Sequence, residues 1–118
     1  MALRCLIVDD QRAFCDAARA LLEGQGLTVV GCATSSAEAL QSVRDLRPEV
    51  ALVDIDLGPD SGFDLARRLA EVDGGFTRVI LVSTHDEREF VTLIEASPAV
   101  GFIAKTELSA ERIRQLVD

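Results

Sequence analysis

The sequence contains no tryptophan and no tyrosine, so five phenylalanines supply its only large apolar rings. Stacking on nucleic-acid bases uses aromatic faces, and holding the phosphates needs basic side chains. Here 12 Lys and Arg stand against 20 Asp and Glu, and the net charge is -8. This balance disfavours direct binding of the chain to nucleic acid or to an anionic membrane surface.

Long hydrophobic runs are absent as well. No apolar stretch approaches the roughly 20 residues that span a bilayer, and no signal-peptide pattern opens the chain. Hydrophobic residues make up 48% and charged residues 27%, an ordinary globular balance. We therefore expect a soluble cytoplasmic protein, with residues 1–118 forming one domain.

Cysteine is scarce and unpatterned. There are three cysteines, Cys5, Cys15 and Cys32, an odd number, and no two of them have CxxC spacing. The sequence therefore indicates neither a zinc site nor a disulfide framework. We expect all three to be small buried side chains in a reducing compartment.

The most informative stretch is the unbroken apolar run 50–53, which ends at Asp54 and leads into the turn-forming segment 58–62. An apolar run without alternation is typical of a strand covered on both faces, as in a parallel sheet with helices on each side. Strand-like and helix-like segments alternate five times along the chain. The pattern predicts an α/β fold with a doubly wound, five-stranded parallel sheet and right-handed crossovers.

Helix starts are marked by capping signals. Ser35-x-x-Glu38 and Thr84-x-x-Glu87 match the capping box, which predicts that a helix begins after each hydroxyl residue. Ser109 is placed to cap the last helix.

Polar side chains stand where the predicted strands end. Asp9 and Asp10 follow the first strand, Asp54 ends the third, Ser83 ends the fourth, and Lys105 follows the fifth. The carboxyl edge of an open α/β sheet is where ligands bind. If strands one and three are neighbours, three carboxylates converge there and repel one another by about 1 kcal/mol or more per pair.

A hard cation relieves such repulsion, and oxygen ligands suit Mg²⁺ or Mn²⁺ better than zinc. The hydroxyl of Ser83 and the ammonium of Lys105 would flank the acidic site and complete a cradle for a phosphoryl group.

With these residues in this order, the chain resembles the receiver domain of two-component response regulators, from about Leu3 to Val117. The resemblance implies a flavodoxin-like, or CheY-like, (βα)5 fold with strand order 2-1-3-4-5. It also implies that Asp54 is the phosphoacceptor and that Ser83 and Lys105 contact the phosphoryl oxygens.

The same resemblance implies that Asp9, Asp10 and Asp54 bind Mg²⁺, with the backbone carbonyl of Asp56 as a further ligand. Phe102 occupies the aromatic switch position, whose rotamer tracks phosphorylation together with the Ser83 hydroxyl. The phosphoryl transfer would be self-catalysed and followed by autodephosphorylation, so the domain would not be an enzyme in the turnover sense.

The implied partners are a sensor histidine kinase or phosphotransfer protein and a downstream protein or output domain. The latter would be controlled through the surface of the last two helices and the fifth strand, where phosphorylation would also promote a homodimer. Family analogy places Asp56 and His85 at the rim of the site, where we expect them to modulate hydrolysis of the phosphoryl group.

Four positions depart from the common family pattern. Gly58-Pro59 stands where Pro-Gly is frequent, Ser83 replaces a threonine, Phe102 replaces a tyrosine, and Thr106 rather than proline follows Lys105. The last difference argues against a cis peptide there. None of them removes a chemical group that the site needs.

Two other functions fit parts of the pattern. Asp54-Ile55-Asp56 mimics the DxD motif of haloacid-dehalogenase phosphatases, but that motif normally ends the first strand of a longer chain with a substrate cap. A flavodoxin-like flavin or nucleotide binder is disfavoured because no Gly-rich phosphate loop and no Trp or Tyr is present.

Overall fold

The computed structural model describes residues 2–72 and 74–118. Its centre is a sheet of five parallel strands in the order β2-β1-β3-β4-β5. This confirms the predicted doubly wound topology and its strand order. The strands are β1 (Arg4–Val8), β2 (Thr28–Ala33), β3 (Val50–Asp54), β4 (Arg78–Ser83) and β5 (Gly101–Ala104).

Helices alternate with these strands, as the sequence predicts. A short antiparallel hairpin, Asp56–Leu57 with Asp60–Ser61, lies between β3 and the third helix and was not predicted. Single 3-10 turns, Glu87–Glu89 and Lys105–Glu107, come before the last two helices. The helices are α1 (Arg12–Gly24), α2 (Ser36–Leu46), α3 (Gly62–Val72), α4 (Val91–Ala96) and α5 (Ala110–Val117).

The sheet separates two hydrophobic cores, which explains why its strands are apolar on both faces. In β3, Val50 and Leu52 point to one core, whereas Ala51 and Val53 point to the other. Side chains of α1 and α5 fill the first core, and those of α2 and α3 fill the second. The helix after each strand returns the chain to the opposite edge before the next strand begins, so all five parallel strands end at one edge.

The capping predictions were right at two helices and wrong at one. Ser35 and Ser109 accept hydrogen bonds from the backbone N–H groups three residues ahead, at 3.2 and 3.1 Å. The predicted box at Thr84 does not form. Asp86 caps the 3-10 turn instead, with Glu89 as its reciprocal partner, because the chain bends at Thr84 and His85 and becomes extended at Asp86.

The expectation of small buried cysteines without a disulfide is wrong for two of the three. Cys15 on α1 and Cys32 on β2, 17 residues apart, form a disulfide. Helix α1 packs against β2, so the two sulfur atoms meet in space although their sequence spacing matches no motif. Cys5 is a free buried thiol, and burial raises its pKa to about 12.

Within the described part of the chain, no helix is both long enough and apolar enough to cross a bilayer.

Candidate functional site

The site lies where β1 and β3 end side by side. Val8 pairs with Val53 in the parallel register, so Asp9 and Asp54 leave the sheet at neighbouring positions. One carboxylate oxygen from each of Asp9, Asp10 and Asp54 lies within 4.8 Å of the other two. The predicted convergence of three carboxylates is therefore present.

Asp9 is the most tightly held of these side chains. It is fully buried, its N–H donates to the Ala33 carbonyl at 2.9 Å, and its Oδ1 accepts from the Gln11 N–H at 2.8 Å. Its Oδ2 lies 2.6 Å from Lys105 Nζ, but the two groups are not aligned for a hydrogen bond. Among the described residues, this buried oxygen is the side-chain atom left without a hydrogen-bond partner.

Asp54 is also buried, with 6% of its surface exposed. Its Oδ1 accepts from the Asp56 N–H at 3.1 Å and its Oδ2 accepts from Lys105 Nζ at 3.1 Å. Burial raises the pKa of Asp54 to about 6, because desolvation outweighs these two favourable contacts and the charge of Asp9 adds to it. The carboxylate is thus poorly solvated and still accessible from the cleft described below.

Lys105 follows β5 and bridges the two buried carboxylates. Burial works against its ammonium, but the contacts with Asp9 and Asp54 outweigh that effect, and the pKa of Lys105 lies above its ordinary value. Its side chain is 11% exposed, and Nζ lies 4.2 Å from the centroid of the Phe14 ring. No cis peptide bond occurs among the described residues, so the bond from Lys105 to Thr106 is trans.

Ser83 ends β4, as predicted, and is 1% exposed. Its Oγ accepts from the His85 N–H at 3.0 Å, which leaves the hydroxyl proton available for another acceptor. Phe102 lies on β5 opposite Leu81 with 6% of its surface exposed, so its ring occupies the buried position.

The carboxylates open onto a cleft of about 370 Å³. Asp10 and Asp56 are exposed at its rim, whereas Asp9 and Asp54 are buried. The residues that line it are Asp10, Gln11, Asp54, Asp56, Gly58, Thr84 and Lys105. A cleft of this kind can admit a small anionic group beside a cation.

Sequence reasoning missed two residues of this region. Phe14 is partly buried on the face of α1 that packs against the sheet, and no sequence signal indicates that its ring meets Lys105. Gly62 was treated as a turn residue, yet a Cβ built there would lie 2.2 Å from the Asp54 carbonyl oxygen.

The family model for the response regulator receiver domain matches residues 5–118. The chain belongs to this family. The receiver is 30% identical over 115 residues to the response regulator GacA of Pseudomonas viridiflava, an alignment that covers 97% of this chain and 53% of GacA. Two-component signalling is therefore its functional class, and the haloacid-dehalogenase alternative is not supported.

Solved structures of response regulators have the same fold. A CheY-like receiver domain protein from Methanospirillum hungatei is 26% identical, with a TM-score of 0.83 and coverage of 100% of this chain and 95% of that one. A LuxR-family two-component response regulator from an Aurantimonas species is 25% identical, with a TM-score of 0.85 and coverage of 97% and 81%. The receiver spans about half the length of GacA.

Proposed function

We propose that this receiver accepts a phosphoryl group on Asp54 from a phosphohistidine of a sensor histidine kinase or phosphotransfer protein. The observation that supports this most strongly is the arrangement around Lys105. Its ammonium lies 2.6 Å from a carboxylate oxygen of Asp9 and 3.1 Å from one of Asp54, beside an open cleft. The receiver is a phosphoacceptor that catalyses its own modification, not a turnover enzyme.

The acidic cluster fits a divalent cation. Three carboxylates lie together, the Lys105 ammonium contacts two of them, Asp9 and Asp54, and the buried Oδ2 of Asp9 lacks an aligned hydrogen bond. Oxygen ligands of this kind suit Mg²⁺, or Mn²⁺ in its place. We propose Asp9, Asp10 and Asp54 as its ligands, with the backbone carbonyl of Asp56 completing the protein set. When bound, the ion would offset negative charge on the transferring phosphoryl group.

In the proposed transfer, a carboxylate oxygen of Asp54 attacks the phosphorus of the phosphohistidine. A P–O bond forms, the P–N bond breaks, and the released imidazole nitrogen takes a proton from solvent. Lys105 stabilises charge on the phosphoryl oxygens, and Ser83 donates its free hydroxyl proton to one of them. Phe102 and Ser83 are the proposed switch pair.

We propose that autodephosphorylation ends the signal and that Asp56 and His85 set its rate. Asp56 is exposed at the rim of the cleft, and the half-exposed His85 ring lies 3.7 Å from a carboxylate oxygen of Glu89. Acyl-phosphate half-lives of the parent, Asp56→Asn and His85→Ala proteins test this. Equal half-lives in all three would contradict it.

The proposed output surface is formed by α4, β5 and α5. Val91, Leu93 and Val100 are exposed there by 41%, 52% and 41% of their surface. We propose that phosphorylation changes this surface, which then controls a downstream protein or an output domain in the cytoplasm, or pairs with a second copy. Residues 1–118 would form the single receiver unit.

The proposed phosphorylation is tested by intact mass after incubation with a small-molecule phosphodonor and Mg²⁺. We expect one added phosphoryl group in the parent and in Asp45→Asn, which changes an exposed carboxylate on α2. Asp54→Asn and the parent with a chelator should show none. An adduct on Asp54→Asn, or no adduct on the parent, would contradict the proposal.

A further inference from the structure

We propose that Phe14 is a positioning residue that holds the ammonium of Lys105 at the mouth of the acidic site. The inference rests on the proposed function, because Lys105 is the group said to meet the phosphoryl oxygens. Nζ of Lys105 lies 4.2 Å from the centroid of the Phe14 ring while it contacts Asp9 at 2.6 Å and Asp54 at 3.1 Å. An ammonium at this distance over a ring face is attracted by the ring quadrupole.

The first turn of α1, which carries the Phe14 ring, is held in place at several points. Phe14 N–H donates to the Gln11 carbonyl at 3.0 Å, and the Gln11 N–H donates to Asp9 Oδ1 at 2.8 Å. The next residue, Cys15, is bonded to Cys32 on β2. The turn that presents Phe14 is therefore tied both to a carboxylate of the site and to the sheet.

The contact is partly shielded from water, which strengthens a cation–π interaction. The Lys105 side chain is 11% exposed, and Phe14 is half-buried against the core between the sheet and α1. An aliphatic side chain could also fill this space, but it would offer no aromatic face to the ammonium.

Phe14 differs from the other two partners of Lys105 in what phosphorylation does to it. Asp9 is a proposed metal ligand, and Asp54 is the proposed acceptor. The charge around both carboxylates therefore changes when the metal binds and the phosphoryl group is transferred. The ring is uncharged and forms no bond in the reaction. It can keep the flexible lysine side chain in place while the carboxylate contacts change.

The contact itself is tested by proton NMR of the metal-free protein. The ε-methylene protons of Lys105 should show an upfield ring-current shift in the parent and in Phe14→Tyr, which keeps the aromatic face. Phe14→Leu should return them to the ordinary lysine position. An unshifted parent signal would overturn the proposal, whether or not the protein can be phosphorylated.

The role is tested by initial rates of adduct formation at saturating Mg²⁺ over a range of phosphodonor concentrations. We expect Phe14→Leu to lower the maximal rate by roughly three- to tenfold. The half-saturating donor concentration should stay constant, and Phe14→Tyr should restore the rate. Phe14→Met is a second non-aromatic variant in case the leucine variant does not fold.

Phe76→Leu is the matched control. Phe76 also lies under a cation, with the Arg47 guanidinium carbon 4.9 Å from its centroid, but it is 48% exposed and outside the site. Its loss should leave the rate unchanged. A parent-like rate in the folded Leu or Met variant of Phe14, or no rescue by tyrosine, would overturn the role. If no protein forms an adduct, the proposed function fails, and the NMR result still decides the contact.

Discussion

At the scale of single residues, Asp54 is ionised at a cost to stability. Its pKa is raised to about 6, mainly by burial, so the folded state binds the proton more tightly than the unfolded state does. The free energy of unfolding should therefore fall as pH rises from about 4 to about 6, and it should stay lower above that range.

This predicts that Asp54→Asn is more stable than the metal-free parent near neutral pH. We expect a gain of roughly 1–2 kcal/mol in the free energy of unfolding at about pH 7.5, shrinking toward zero near pH 4. Denaturant unfolding with a chelator present at both pH values measures it. Asp45→Asn, at an exposed position, is the control. Equal stability of the parent and Asp54→Asn at pH 7.5 would contradict a raised pKa of Asp54.

The charged site residues could be predicted because each follows a recognisable strand. Strand ends predict the positions of Asp9, Asp54 and Lys105, but their convergence depends on the strand order, which the family resemblance implies and the structure has. Phe14 could not be predicted in the same way. Periodicity assigns a residue to a helix face but does not say which side chain from a distant strand lies opposite it.

At the scale of elements, the start of α3 packs directly against the backbone at the end of β3. A Cβ at Gly62 would lie 2.2 Å from the Asp54 carbonyl oxygen and 2.8 Å from Ile55 Cα, both backbone atoms. We predict that Gly62→Ala lowers the free energy of unfolding by roughly 1–3 kcal/mol and slows phosphorylation, because the strand end that carries Asp54 must shift.

Gly24→Ala is the control for this substitution. Nothing lies within 4 Å of a Cβ built at Gly24, which is the last residue of α1, so stability should be unchanged or slightly higher. Denaturant unfolding and intact-mass rates compare the two variants. A Gly62→Ala protein that matches the parent in both would refute the packing argument.

The disulfide joins two other elements, α1 and β2. A cross-link between Cys15 and Cys32 restricts the unfolded chain, and for a loop of this length the effect is roughly 3 kcal/mol. We predict that a reductant lowers the denaturation midpoint of the parent and has no effect on the double variant Cys15→Ala/Cys32→Ala. A parent midpoint that does not respond to reductant would show that the bond does not stabilise the fold.

At the scale of the whole molecule, one exposed apolar surface coincides with the proposed output face. Leu93 on α4 is 52% exposed. We predict that the phosphorylated parent doubles its mass in light scattering and that Leu93→Glu stays monomeric while still accepting the phosphoryl group. Leu21→Glu, an exposed position on α1, should dimerise like the parent. An unchanged monomeric mass in the phosphorylated parent would contradict a dimer.

The architecture as a whole could be predicted because its signals are repetitive: five apolar strands, a helical segment after each strand, and strand ends marked by polar residues. The predictions that were wrong concern features that depend on which residues meet in space or on the local path of the chain. Cys15 and Cys32 meet only because α1 packs on β2. The helix predicted to follow Thr84 begins later, at Val91, because a 3-10 turn capped by Asp86 comes first.

Asp54 itself is the residue that we propose receives the phosphoryl group. Borohydride reduces an aspartyl phosphate to homoserine, so trapping after Mg²⁺-dependent phosphorylation, followed by peptide sequencing, marks the acceptor residue. The structure predicts homoserine at position 54 and nowhere else, with none formed when a chelator is present. Homoserine at position 9, 10 or 56, with Asp54 unmodified, would contradict the assignment of the site.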